Sequence, residues 1–201
     1  SDRTGDSICQ KNPTHCELTA LYWIWKNALS TGHDHVGLFH YRRYLALNSK
    51  MEEDPCLACK PAVLVPVSEV RRQELFFLQS EDLASLGKTD VILPIATPLS
   101  MTIRDHFVEA HGERGWQVMT DAVQEVWPDW GKDLHRFDET ACRLGNLLVA
   151  RCSVLSSFCE WLFPIIQVME QKVAELPDFD ANRFFGYPAV RFTHLYFERL
   201  K

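Results

Sequence analysis

Between residues 12 and 40 the apolar spacing changes once, from the period of a helix to the short run of a buried strand. That switch narrows the fold to a mixed helix-and-sheet domain. Leu18, Leu21, Tyr22, Trp25, Ala28 and Leu29 fall on one helical face and predict a helix over residues 16–28. Asn12 and Thr14 are candidate N-caps, and Pro13 suits the first helical position. Thr14 with Glu17 three residues on has the spacing of a capping box. Ser30, Thr31 and Gly32 supply the stop. Val36, Leu38 and Phe39 then mark residues 36–40 as an inner strand packed under that helix. Trp23 and Trp25 read as core packing.

Where this strand runs out stand His40, Tyr41, Arg42 and Arg43. Ligands of open α/β sheets collect outside the carboxyl ends of strands. A guanidinium fork matches phosphate geometry. The competing reading is that both arginines pair with carboxylates or reach solvent. A net charge of −6 argues against a broad surface for nucleic acid, while the pairs Arg42–Arg43 and Arg71–Arg72 still suit a small diphosphate.

The 201 residues, 46% of them hydrophobic, are enough for one sizeable core. Residues 62–66 and 90–94 read as strands, 68–78 as a helix, and 95–100 as a loop beside the site. Residues 102–110 predict a helix carrying Arg104, Asp105, His106 and Glu109, with His111 beyond it. Asp105, Glu109 and His111 are candidate general bases, weighed against an ordinary solvated helix face. A second helix from Gly112 ends near Trp127–Pro128, a polar connector covers 133–143, and 147–150 is a strand. Residues 153–173 form a long apolar helix that Pro164 kinks or divides.

Seven cysteines are scattered, with one C-x-x-C at Cys56 and Cys59 and no second pair to complete a zinc site. An odd count and no secretory signal at the front fit reduced thiols and a cytoplasmic setting. No apolar run approaches the length of a membrane span, which leaves peripheral membrane contact open. For a divalent metal, Asp178-Phe179-Asp180 follows a proline in a loop and His33-Asp34-His35 precedes its strand, so neither has the context of an Asp-x-Asp site. No metal ligand is assigned, and the cofactor stays open.

The blocks TGDSICQKNPTHCELTALYWIWKN and GLFHYRRYL, followed by DVILP, NLLVA, CEWLFPII and the Arg183-x-x-Gly186-Tyr187 stretch, resemble the DUF4422 family in order along nearly the whole chain. These are bacterial proteins of capsule, exopolysaccharide and O-antigen gene clusters, regarded as glycosyltransferases. The resemblance implies an α/β, GT-A-like nucleotide-sugar-binding domain over residues 1–201, with a mixed sheet flanked by helices. It implies His40, Arg42, Arg43 and His111 as catalytic residues. It places Asp6, Lys11, Asn12, Glu17, Tyr41, Asn146, Arg183, Gly186 and Tyr187 against a nucleotide-sugar donor and a glycan acceptor. Ser1 falls inside the family pattern, so the resemblance also implies a chain lacking an upstream strand. Where relatives carry a Glu-Arg pair this chain has Val190-Arg191, losing the acid and keeping the arginine. A non-catalytic glycan- or protein-binding relative is the alternative to an enzyme.

Overall fold

The structure is a computed structural model and describes residues 3–39 and 89–200. The strand at 62–66, the helix at 68–78, the C-x-x-C and His40 through Arg43 lie outside the described residues. Numbered in chain order, the described elements are α1 (Asn12–His15), α2 (Leu18–Trp23), β1 (His35–Leu38), β2 (Val91–Ile92), β3 (Thr97–Pro98), α3 (Ile103–Val126), β4 (Ala141–Cys142), β5 (Leu148–Arg151), α4 (Cys152–Ala174) and α5 (Gly186–Arg199).

The helix predicted over 16–28 is seen at 18–28, and the separate short α1 precedes it. After a 3-10 turn over Cys9–Lys11, α1 stops at Cys16, whose φ of 52° leaves the helical region; α2 then runs on into a π-helical turn at Ile24–Ala28. Pro13 does occupy the first turn. The capping box does not form: the Thr14 hydroxyl turns back and donates to the Lys11 carbonyl at 3.0 Å. Asn12 bridges the break instead, its amide donating to the Cys16 carbonyl and to the Thr19 hydroxyl, both at 3.1 Å. The apolar period read from the sequence lies entirely after this break, where α2 begins with Leu18 and Leu21 buried.

The strand expected at 36–40 is seen one residue earlier, at His35–Leu38. It pairs antiparallel with β5, Val36 opposite Ala150 and Leu38 opposite Leu148. β2 pairs with the other edge of β5, so the order is β1-β5-β2 and the inner strand among the described residues is β5. Residues Leu148, Val149 and Ala150 of β5 are all buried, the mark of a strand covered on both faces. The expected loop at 95–100 contains β3, which pairs with β4 out of the supposed connector. The rest of that connector is a 3-10 stretch, Pro128–Asp138.

Helices α3, α4 and α5 pack with this sheet into one core. Thr102 caps α3, its hydroxyl accepting from the Asp105 amide at 3.0 Å. At Gly112 the backbone takes φ 78° and ψ 160°, a conformation side chains resist, so α3 is two helices and His111 ends the first. The second ends at Trp127, as expected. Pro164 neither ends nor divides α4, which runs unbroken through it. This helix is long and apolar enough by length and composition to cross a membrane, contrary to the expectation of no such run. Its apolar residues Leu155, Phe158, Leu162, Ile165 and Met169 are buried in the core, as in a core helix. α5 is buried almost all round, the pattern of a central helix. Its Pro188 falls in the first turn, where an N–H would have no helical partner anyway.

Candidate functional site

Three segments distant in sequence meet where α5 begins. The Arg183 amide donates to the Pro13 carbonyl at 2.9 Å, and the Phe185 amide to the Thr14 carbonyl at 3.1 Å. This contact ties the turn before α5 to α1. Both sides are strained: Cys16 and Arg183 hold φ at 52° and 58° without being glycine. Gly186 packs closely there: a Cβ would stand 3.2 Å from the Cys16 Cβ, so a side chain would need Cys16 to give by a few tenths of an ångström. Asn146, just before β5, reaches across and donates its amide to the Gly186 carbonyl at 3.3 Å. Burial pushes the Cys16 thiol pKa up, partly opposed by the nearby Arg183 guanidinium.

From this junction the site continues along α3. Tyr187 stacks on His111, ring centroids 4.0 Å apart and planes 22° from parallel. His111 also lies against Phe107, one helical turn back, at 4.9 Å. Burial, helped by the positive charge of Arg191, holds His111 well below the ordinary imidazole range, at about 4. The ring is therefore neutral at pH 7. His106 is lowered as well, chiefly by burial and then by Arg191. The Arg191 guanidinium, only 5% exposed, donates from Nη2 to the His106 Nδ1 at 2.8 Å and lies over the Phe107 ring at 5.4 Å.

Of the residues expected at a site, the structure thus gathers Asn12, Asn146, Arg183, Gly186, Tyr187 and His111. Glu17 borders them, sharing with Asn146 an apolar-walled cavity of about 10 Å³, room for no more than one water. Two residues fall elsewhere. Lys11 lines a separate pocket of about 390 Å³ with Trp25 and Phe163, where its ammonium meets Glu170 at 2.6 Å beside the buried His15. Asp6 is a brace: its amide donates to Asn27 at 3.1 Å, and its carboxylate accepts from the Tyr22 hydroxyl at 3.2 Å. Asp105 is exposed and pairs with its neighbour Arg104, and Glu109 is also exposed. Both therefore fit the solvated-face reading better than that of a base.

His106 was not among the candidate bases, and Arg191 carried no role of its own. Their contact spans 85 residues, and no spacing within either helix announces it. For a divalent metal, no group of three or more His, Cys, Asp or Glu side chains converges among the described residues. Asp180 spends a carboxylate oxygen on the Asn182 amide at 2.9 Å. The described residues do not fit such an ion, and no step is derived through one.

The family model described as "Domain of unknown function (DUF4422)" matches residues 1–201. A solved structure described as the bifunctional glycosyltransferase WbbM in its apo form is similar at 28% identity and a TM-score of 0.80. The similarity covers 99% of this chain and 36% of that one, so the chain spans about a third of the length of the protein it matches. The α/β, GT-A-like fold stands on that likeness together with the mixed layers of helix and sheet. No curated protein sequence matches.

Proposed function

The chain belongs to the DUF4422 family, and from that premise we propose that it is a glycosyltransferase domain. It moves a sugar from a nucleotide diphosphate donor to a hydroxyl of a glycan acceptor. In this reaction the bond from the sugar C1 to the β-phosphate oxygen breaks, and its electron pair leaves with the diphosphate. A new bond forms from the acceptor oxygen to C1, and the acceptor proton passes to a base. That base has to be unprotonated at working pH and within reach of the acceptor.

His111 meets the first condition, and it is the observation that carries the reading. Its ring is neutral at pH 7, packed against Tyr187 and Phe107, next to the strained junction of Cys16 and Arg183. Gly112 places it at the end of its helical segment. Asn146 and Gly186 hold that junction to β5. Arg42 and Arg43, outside the described residues, keep their expected role of meeting the diphosphate, with His40 and Tyr41 orienting it. The family setting favours capsule, exopolysaccharide or O-antigen synthesis on the cytoplasmic side, with residues 1–201 acting as one domain.

The test is release of nucleotide diphosphate, with glycan product, across a panel of nucleotide sugars. His111→Ala should lower kcat by about 10²–10⁴, the usual contribution of general-base catalysis. Full activity in His111→Ala would remove His111 from the chemistry. A folded wild-type chain that transfers no sugar from any donor would remove the glycosyltransferase reading.

A further inference from the structure

Arg191 is a cation in the wrong surroundings for a structural arginine. Its side chain is buried to 95% within α5, and its Nε has no hydrogen-bond partner. Among the described residues its hydrogen bond runs to a neutral imidazole, His106. Among the described residues no carboxylate forms an ion pair with it. The acidic group whose charge acts on it is the Cys142 thiol. Burial pushes that thiol up to about 11, so it is uncharged at pH 7 and offers no compensation. The Phe107 face gives a partial cation–π contact.

Burying a charge is costly unless it is paired and hydrogen-bonded. A methionine or leucine would fill the same space without that cost, so packing alone does not account for an arginine here. His106 and His111, both half-buried, are its neighbours on α3. Neither can neutralise it. Arg183 is exposed, its charge favoured by the Cys16 and Tyr187 groups beside it.

We propose that Arg191, with His106 as its positioning partner, is an oxyanion anchor that receives a phosphate of the leaving nucleotide diphosphate. The assignment rests on the glycosyltransferase reading for the identity of the anion, and on the buried unpaired guanidinium for its existence. An incoming phosphate supplies the missing negative charge and an acceptor for the free Nε–H. The planar fork can then bind two oxygens at once, which an ammonium cannot do. Tyr187 and His111 would stand beside the bound phosphate, near the acceptor hydroxyl.

Inorganic pyrophosphate is the probe, followed by calorimetric titration and thermal melting of the whole chain. Wild type should bind pyrophosphate and prefer it to glucuronate, the carboxylate control. Arg191→Met should weaken pyrophosphate binding at least tenfold while the free protein melts about 2–4 °C higher, because an unpaired buried charge has been removed. Arg191→Lys should also bind at least tenfold more weakly, and it reports on the fork should the methionine variant fail to fold.

No pyrophosphate binding at millimolar concentration, stronger binding of glucuronate, or wild-type affinity in a folded Arg191 variant would each overturn the anchor. Pyrophosphate binding is read without sugar transfer. Arg191-dependent binding in a chain that transfers nothing would therefore reject the glycosyltransferase reading and leave the anchor standing. Transfer that is indifferent to Arg191→Lys would reject the anchor and leave the enzyme.

Discussion

Replacing Arg143 with alanine should be among the most damaging single changes to the fold outside the apolar core. Arg143 follows β4 and fastens three parts of the chain. Its Nε and Nη2 reach the same Glu198 oxygen at 3.2 and 3.0 Å, and its Nη1 donates to the Pro94 carbonyl. Its backbone amide also donates to the His194 imidazole of α5 at 3.4 Å. The ion-paired side chains are only 15% and 14% exposed. Truncation therefore takes the Arg143 guanidinium away from the largely buried Glu198 carboxylate, and strips a donor from the Pro94 carbonyl. Breaking a buried pair costs about 3–5 kcal/mol, and the residual exposure here argues for the low end, about 3. For a chain of this length that is a fall in Tm of roughly 6–12 °C. Thermal melts of Arg143→Ala, Glu198→Ala and the double variant test the attribution. The double variant should cost clearly less than the sum of the singles, because the two residues contact each other and the second truncation has no Arg143–Glu198 contact left to break. A loss below about 1 kcal/mol for Arg143→Ala, or strict additivity, would show the pair to be a solvated surface contact and the argument wrong.

His111 gives a pH-dependent counterpart. Its folded pKa is depressed to about 4 from an ordinary 6.5, so its contribution to stability is present above 6.5 and lost as pH falls from there towards 4. His15 and His106 are shifted in the same direction by burial, so the melting temperature should drop between pH 6.5 and 4.5. His111→Gln should flatten that slope; an unchanged slope would mean that His111 is not held neutral by the fold. At Gly112 nothing lies within 4 Å of where a methyl group would stand, so Gly112→Ala tests backbone strain alone, with an expected loss of about 1–3 kcal/mol in urea titration. A neutral or stabilising result would show that the break in α3 relaxes once glycine is gone.

How far the fold could be read beforehand depended on whether the controlling force was local. Thr102, Gly112 and Trp127 bound the two halves of α3 through caps and backbone freedom, and these are written in neighbouring residues. Val91 and Ile92 read correctly as strand, although only those two residues of the longer apolar run pair with β5. The capping box at Thr14 failed because a second local option, the Lys11 carbonyl, took the hydroxyl, and Asn12 stitched α1 to α2 instead. Sequence spacing cannot rank two such bonds when tertiary contact decides between them. Here that contact is with Arg183 and Phe185, whose amides hold the Pro13 and Thr14 carbonyls.

The candidate site shows the same division in a sharper form. His111, Asn146, Arg183, Gly186 and Tyr187 could be singled out because they lie in recognisable stretches. What their grouping means could not be read from those stretches. His106 sits five residues before His111, off the regular one-turn spacing, so the two share no helical face in the sequence pattern. Arg191 lies in the middle of an apolar helix, where a lone arginine reads as a residue that snorkels to solvent. The structure shows instead a guanidinium 5% exposed and held by an imidazole. An arginine that neither reaches water nor meets a carboxylate lowers stability where it stands. Such a cost is understandable at a place where an anion arrives and leaves, since a permanent internal carboxylate would compete with that anion for the same fork.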